Sequence, residues 1–383
     1  MRALLKNTIF IIISFLISFG SLSFKHISPD NKFVNTEKFV SNYFNRTGIT
    51  DGPYIFFENG KTIVKWIYQD RLVKRIIHND NFKVLHRKFG FEFKPEWIEE
   101  NKTSNLDYVQ KFDNVENLIA ISDVHGQFNV MVKLLRKHKV IDKDYNWIFE
   151  GGHLVVLGDI MDRGPHVTES LWLIFQLEQQ AKKAGGKVHV LLGNHELMVL
   201  NNDIRYIHEK YINSSKLMKT TYSHLYSENS FLGNWLRKKP VFVTINDMLF
   251  VHAGVTTDFI KKGYTRAQIN KLFTEDIVGQ TWNTILANPI STFMMESNGP
   301  IWYRGYFDEP VIKEYQVDHL LNYFNVDHII VGHTSMPNVV SLFNGKIFGI
   351  DSSIKYGDYG ELLIYKKGKY YRGSLNGSLI DLN

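Results

Sequence analysis

Cysteine is missing altogether from this 383-residue chain. Its absence excludes a disulfide framework, a lipidated N-terminal cysteine and every reaction that runs through a thiolate nucleophile. Any exported form must be held together by its core alone, for which 44% hydrophobic residues suffice. Dense basic tracts are absent too. The net charge of +6, from 45 Lys and Arg against 39 Asp and Glu, reads as lysine-rich solvated surface and gives no ground for expecting a nucleic-acid partner. Internal repeats, low-complexity stretches and long linkers are also lacking, so one compact domain with an N-terminal elaboration is expected.

Long apolar runs are scarce. The exception is the N-terminus, where Arg2 and Lys6 precede a nearly unbroken run over 9–24 that ends among Ser18, Gly20, Ser21 and Ser23. A charged start, an apolar middle and a small-residue end describe a secretory signal. The run is shorter than the ~20 residues that cross a bilayer comfortably. Cleavage near Gly20 or Ser23 is therefore expected, with a retained inner-membrane anchor as the alternative. Either way the remainder is exported, to the periplasm or the medium, and a membrane is involved only if residues 1–24 stay attached.

What the chain does have is a series of short apolar runs that end in polar chemistry. Those over 118–122, 154–157, 188–192, 248–251 and 328–331 are rich in Val, Ile and Leu and read as buried strands. They lead into SDVHGQF, VLGDIMDRG, LLGNHELM, FVHAG and VGHTS. Asp123, His125, Asp159, Asn194, His252 and His333 thus fall at or just past the C-terminal ends of strands, where open α/β sheets place ligands. Helical patterns over 128–139, 167–184 and from 196 onward follow the first three runs, giving repeated β-α units.

Carboxylates, imidazoles and an amide at these places make a complete ligand set for two divalent cations, with Asp159 able to bridge them. Mixed N and O ligation suits Mn, Fe or Zn better than Ca or Mg. Two cations about 3.5–4 Å apart serve in-line attack on phosphorus, because they supply hydroxide at neutral pH and neutralise charge on the attacking and leaving oxygens. His125 or His252 alone would read as an ordinary satisfied histidine. Six ligand-type residues in such contexts do not arise from packing alone. His138, His153, His189 and His224 match no ligand position and read as surface or interior histidines.

The five blocks, in this order and each after a credible strand, resemble the phosphoprotein phosphatase branch of the calcineurin-like metallophosphoesterases, particularly its bacterial Shewanella-like phosphatases, over about residues 117–352. The last block, Gly332-His333-Thr334-Ser335, lacks the second histidine of the GHxH found in many broader metallophosphoesterases. That departure fits the phosphatase branch and argues against the cyclic-nucleotide phosphodiesterase and nuclease branches. The resemblance implies an α/β (α+β) fold, a mixed β-sheet sandwich flanked by helices. It also implies that Asp123 and His125 bind the first metal, that Asn194, His252 and His333 bind the second, and that Asp159 bridges them. His195 is then the catalytic histidine, oriented by Asp162, and Glu196 is structural.

Phosphate binding is expected from Arg163, whose guanidinium fork matches phosphate oxygens, from Asn194, and from a second arginine between the fourth and fifth blocks. Arg304 in GPIWYRGY fits that place; its competitor, Arg266 in TRAQINKLF, has the setting of an exposed helix. The implied activity is hydrolysis of phosphomonoesters on phosphorylated proteins, peptides or small molecules, with phosphotyrosine favoured by the resemblance. One alternative is a diadenosine-polyphosphate or nucleotide hydrolase, against which export counts. Another is a non-catalytic metallophosphoesterase-like binding module, against which the intact Asp162, Arg163 and His195 count.

Domain organisation is expected as an export segment over 1–24, an accessory region over 25–115 and a catalytic domain over 116–383, with a helical cap at about 201–240 and 260–306. In the accessory region, 54–57 and 62–68 flank an Asn59-Gly60 turn and predict a hairpin, with a further strand over 72–77. The hairpin aromatics Tyr54, Phe56, Phe57, Trp66 and Tyr68 are expected to form its own core rather than a substrate surface. Tyr206, Tyr211 and Tyr222 stand in a stretch, 201–235, that is helical in outline and adjacent in sequence to the third block; ordinary helix packing is expected of them, with a part in shaping substrate access as the alternative. A strand over 346–351 and a hairpin over 361–373 complete the chain.

Overall fold

Both members of the Asn59-Gly60 turn adopt positive φ, 50° and 72°, the twist that a two-residue hairpin turn requires. The turn joins β1 (Asp51–Glu58) to β2 (Lys61–Tyr68), and β3 (Arg71–Ile77) completes an antiparallel three-stranded sheet. The computed structural model describes residues 48–78, 82–104 and 106–382; the expected export segment over 1–24 lies outside them. Among the described residues no helix is long and apolar enough to cross a membrane.

Tyr54, Phe56 and Trp66 are buried and Phe57 and Tyr68 half-buried, so these aromatics serve packing; instead of a core of the hairpin alone they join one shared with the rest of the chain, Tyr54 meeting Tyr226 and Trp66 meeting Phe89. The sheet joins the rest of the chain through Phe57, whose N–H donates to the Asn229 carbonyl (2.8 Å), and through the Trp172 indole, which donates to the Pro53 carbonyl (2.9 Å). Trp172 stacks on Phe231 at 5.2 Å, which ties the sheet to the helices Val167–Lys183 and Phe231–Arg237.

Twelve further strands follow. They are β4 (Lys111–Phe112), β5 (Asn117–Ile121), β6 (His153–Val156), β7 (Lys187–Val190), β8 (Phe242–Ile245) and β9 (Met248–Val251), then β10 (His328–Val331), β11 (Val340–Leu342), β12 (Ile347–Gly349), β13 (Glu361–Lys366), β14 (Lys369–Ser374) and β15 (Leu379–Asp381). They form two six-stranded mixed sheets, ordered β15-β14-β13-β5-β6-β7 and β11-β12-β10-β9-β8-β4. The β5–β6–β7 run is parallel, and β10 is parallel to both β9 and β12.

Side-chain alternation explains why these strands read as unbroken apolar runs. Leu118, Ala120, Val155 and Leu157 meet Val243, Met248, Phe250 and Ile330 in one cluster between the sheets. Their neighbours Ile119, Ile121, Leu154 and Val156 join Met131, Leu134, Leu171 and Ile174 of the covering helices Phe128–Lys137 and Val167–Lys183. The result is a mixed α/β architecture of two sheets flanked by helices. The tyrosine-rich stretch is broken into Glu209–Met218, a 3-10 turn at Ser223–Tyr226 and Phe231–Arg237. Lys219 stops the first helix in a left-handed conformation, and the Ser230 hydroxyl accepts from Gly233 N–H to start the last.

Candidate active site

The loops leaving β5, β6 and β7 in one sheet, and β9 and β10 in the other, converge on one buried centre. Asp123, His125, Asp159, Asp162, Asn194, His195, His252 and His333 are all at most 5% exposed. Six residues of these loops, Asp123, His125, Asp159, Asp162, Arg163 and His333, take positive φ between 45° and 67°, a backbone region that non-glycine residues visit at a cost and that concentrates at functional sites. The glycines between them permit contact: a Cβ on Gly193 would lie 2.2 Å from Asp159 Oδ1, and one on Gly332 would lie 2.0 Å from Ser122 Oγ.

Asp159 sits at the middle. Its Oδ2 is 3.6 Å from His125 Nε2 and 3.3 Å from His252 Nε2, while Oδ1 accepts from His195 N–H at 3.0 Å. Asp123 points Oδ1 toward His125 Nε2 (3.9 Å) and accepts at Oδ2 from Ser122 Oγ (2.6 Å) and His333 N–H (2.9 Å). Asn194 Oδ1 is 3.0 Å from His252 Nε2. Each of two imidazoles is oriented from behind, His125 Nδ1 donating to the Met161 carbonyl (2.8 Å) and His252 Nδ1 to that of Leu157 (2.7 Å), an arrangement that turns Nε2 toward the centre.

These residues fit a pair of cations. His333 Nε2 is buried with no hydrogen-bond partner among the described residues, a lone pair that calls for a ligand. Two triads, His125–Asp159–His195 and Asp159–His252–His333, bring their donor atoms within 4.8 Å of one another and share Asp159. Burial lowers His125 to about 3 and His333 to about 2, keeping both neutral. Burial, reinforced by the Asp351 and Asp159 carboxylates, pushes Asp123 well above its usual range. Against the penalty of burial, the Asp159 carboxylate draws His252 up to about 10. Carboxylates packed this closely require positive charge, and the buried groups can hold metal ions.

His195 lies beside this set rather than wholly within it. Its Nδ1 donates to Asp162 Oδ2 at 2.7 Å, and its Nε2 is 3.9 Å from Asp159 Oδ2 and 3.3 Å from Arg163 Nη2. Burial opposes its protonation, but the Asp159 and Asp162 carboxylates outweigh burial and raise its pKa above 6.5. Glu196 accepts from the N–H groups of Asp159, Ile160, Met161 and Gly193 at 2.7–3.0 Å, so it clamps two loops together. Of the two candidate arginines, Arg304 donates to the His333 carbonyl (3.1 Å) and Thr334 Oγ1 (3.3 Å). Arg266 donates to the Phe324 carbonyl elsewhere.

Sequence reasoning missed Asp351, which is buried, accepts from Ser335 Oγ at 2.5 Å and lies close enough to Asp123 to raise its pKa. A carboxylate just past β12 obeys the same strand-end rule as the others and could have been found by it. Also missed was the support of the Asp162–Arg163 loop. The Pro165 carbonyl accepts from Lys210 Nζ (2.8 Å) and Tyr211 Oη (3.0 Å), and Lys210 is held by Glu169 (3.1 Å) and by Asp51 of β1 (3.7 Å).

The fold and this centre define a phosphoester-hydrolase class, and comparison with known proteins places the chain within it. Residues 117–337 match the calcineurin-like phosphoesterase family, and the chain belongs to that family. A cold-active protein-tyrosine phosphatase from a psychrophilic Shewanella species is 37% identical, with a TM-score of 0.79 over 87% of this chain and 99% of its own. Shewanella-like protein phosphatase 1 of Plasmodium berghei is 27% identical, over 72% of this chain and 78% of its own length. Shewanella-like protein phosphatase 2 of Arabidopsis thaliana is 24% identical, over 68% and 77%. The chain is a hydrolase of phosphomonoesters.

Proposed function

We propose that this protein is an exported, dinuclear-metal protein phosphatase that favours phosphotyrosine. The observation that carries the reading is Asp159, shared between two buried donor triads with the His195–Asp162 pair and Arg163 directly beside it. In this reading Asp123 and His125 hold one metal, Asn194, His252 and His333 the other, and Asp159 both. The metals are Mn, Fe or Zn, from the mixed N and O donors. When bound, they supply charge neutralisation and water acidified for attack on phosphorus.

The chain's own residues do the rest. Arg163 and Arg304 grip the non-reacting phosphate oxygens, with Asn194 presenting its amide to the same group, and hold phosphorus in line. His195, oriented through Nδ1 by Asp162, presents Nε2 to the leaving oxygen and delivers a proton as the ester bond breaks, a contribution typically of about 10²–10⁴-fold. Residues 116–383 form the catalytic unit and 25–115 its elaboration. The tyrosine preference is supported by the Shewanella phosphatase likeness, and export by the N-terminal run.

The test is a matched panel on metal-loaded protein: phosphotyrosine peptide, phosphoserine peptide and diadenosine tetraphosphate. A clear lead for phosphotyrosine is expected. A lead for the dinucleotide would replace this reading with the nucleotide one. Recovery of the chain from the culture medium or periplasm, followed by N-terminal sequencing, tests export.

A further inference from the structure

We propose that Tyr206 sets the selectivity of this site for aryl phosphates, by packing its ring against the aromatic leaving group next to His195. The inference deepens the phosphatase reading above and rests on it, since it takes His195 as the proton donor and Arg163 as the phosphate clamp.

Three observations converge on Tyr206. Its ring centroid is 5.3 Å from that of His195, with the planes tilted at 59°. The guanidinium carbon of Arg163 lies 5.3 Å from the same ring, and that of Arg205, itself bound to Asp203, lies 5.6 Å away. The residue nevertheless remains 44% exposed, whereas Tyr211 and Tyr222 of the same stretch are 0% and 1% exposed. Its place is fixed by the backbone as well, because the Tyr206 carbonyl accepts from Arg163 N–H at 2.9 Å. An exposed aromatic ring therefore lies against the loop that carries the clamp, at the edge of the proton donor.

The geometry of the reaction gives this placement its meaning. The leaving oxygen must come within about 2.6–3.2 Å of His195 Nε2. In an aryl phosphate the ring begins one bond beyond that oxygen. The departing ring thus lies a few ångströms from His195, and Tyr206, centred 5.3 Å from the same imidazole, stands where it can meet that ring edge to face or offset at about 4.5–7 Å. A seryl leaving group continues instead into a single methylene and offers no ring to meet. Tyr206 contributes to the one class and not to the other.

The experiment compares full-length, metal-loaded wild type with Tyr206→Ala, Tyr206→Leu and Tyr206→Phe on two peptides of identical sequence, one carrying phosphotyrosine and one phosphoserine. The readout is the ratio of their kcat/KM values. Alanine and leucine are expected to lower that ratio about tenfold, mainly through KM for the phosphotyrosine peptide, and phenylalanine to preserve it. Leucine keeps the bulk without the ring, so it separates loss of stacking from loss of packing. A ratio that survives both alanine and leucine overturns the inference while leaving the phosphatase reading intact, as does an equal fall for both peptides. A wild type that hydrolyses phosphoserine as readily as phosphotyrosine overturns the substrate reading and this inference together.

Discussion

Among single residues, Asp159 and His195 make the sharpest contrast, because they touch within one centre yet have different proposed tasks. Asp159 Oδ2 faces His125 and His252 from 3.6 and 3.3 Å, so Asp159→Asn removes the shared charge from both triads. Turnover is expected to vanish, and metal measured by elemental analysis on the purified variant is expected to fall. His195 is anchored outward by Asp162 at 2.7 Å. His195→Asn is therefore expected to lower kcat by about 10²–10⁴-fold while metal content stays close to wild type. Loss of both metals in His195→Asn would place His195 among the ligands instead.

Whole elements bring in forces that no motif records. The Pro165 carbonyl, two residues past Arg163, is held by Lys210 and Tyr211, and the Tyr211 hydroxyl also accepts from Val167 and Thr168 N–H (2.7 and 3.2 Å), capping the helix Val167–Lys183. Lys210 belongs to Glu209–Met218 and its carboxylate neighbours to that long helix and to β1, so three separate elements share one buried ion cluster. Lys210→Met leaves Glu169 and Asp51 without their ammonium, and a broken buried pair costs about 3–5 kcal/mol. Urea unfolding should show a loss of that size.

The same cluster gives a pH signature. Burial works against ionisation of Glu169, but Lys210 and His166 overcome it and hold Glu169 down to about 2, from an ordinary 4.5. A carboxylate with a depressed folded pKa contributes stability above its unfolded value and loses that contribution as pH falls toward the folded one. The stability gap between wild type and Glu169→Gln should therefore be full above about pH 4.5 and shrink progressively toward pH 2; a gap constant across that window would contradict the assignment.

Strand ends and metal-type residues were legible in the sequence because both obey local rules. The runs ending at Asp123, Asp159, His252 and His333 are apolar on two faces and stop where polar residues begin, and β9 and β10 occur where the runs placed them. The Asn59-Gly60 hairpin was legible for the same reason. The Lys210 cluster was not, since Asp51, Glu169 and Lys210 are 41 or more residues apart and look individually like surface charges. Nor could the sequence separate Tyr206 from Tyr211 and Tyr222. Only packing decides which tyrosine stays exposed.

Taken as a whole molecule, the centre is a joint between two sheets. Asp123, His125, Asp159 and Asn194 leave β5, β6 and β7 of one sheet, while His252, His333 and Asp351 leave β9, β10 and β12 of the other. With cations bound as proposed, the two sheets are cross-linked at their shared end; without them, Asp123, Asp159 and Asp351 crowd together in a site that raises Asp123 and Asp351 through burial. Metal should therefore stabilise the folded chain as a ligand does, by about 2.7 kcal/mol at a hundredfold excess over its Kd. Chelation is expected to abolish activity and shift the urea midpoint downward, and Mn is expected to restore both. A thiol-alkylating reagent should change neither, because the chain has no cysteine. Full activity and an unchanged midpoint after verified removal of metal would separate this chain's chemistry from the donor set at the joint of its sheets.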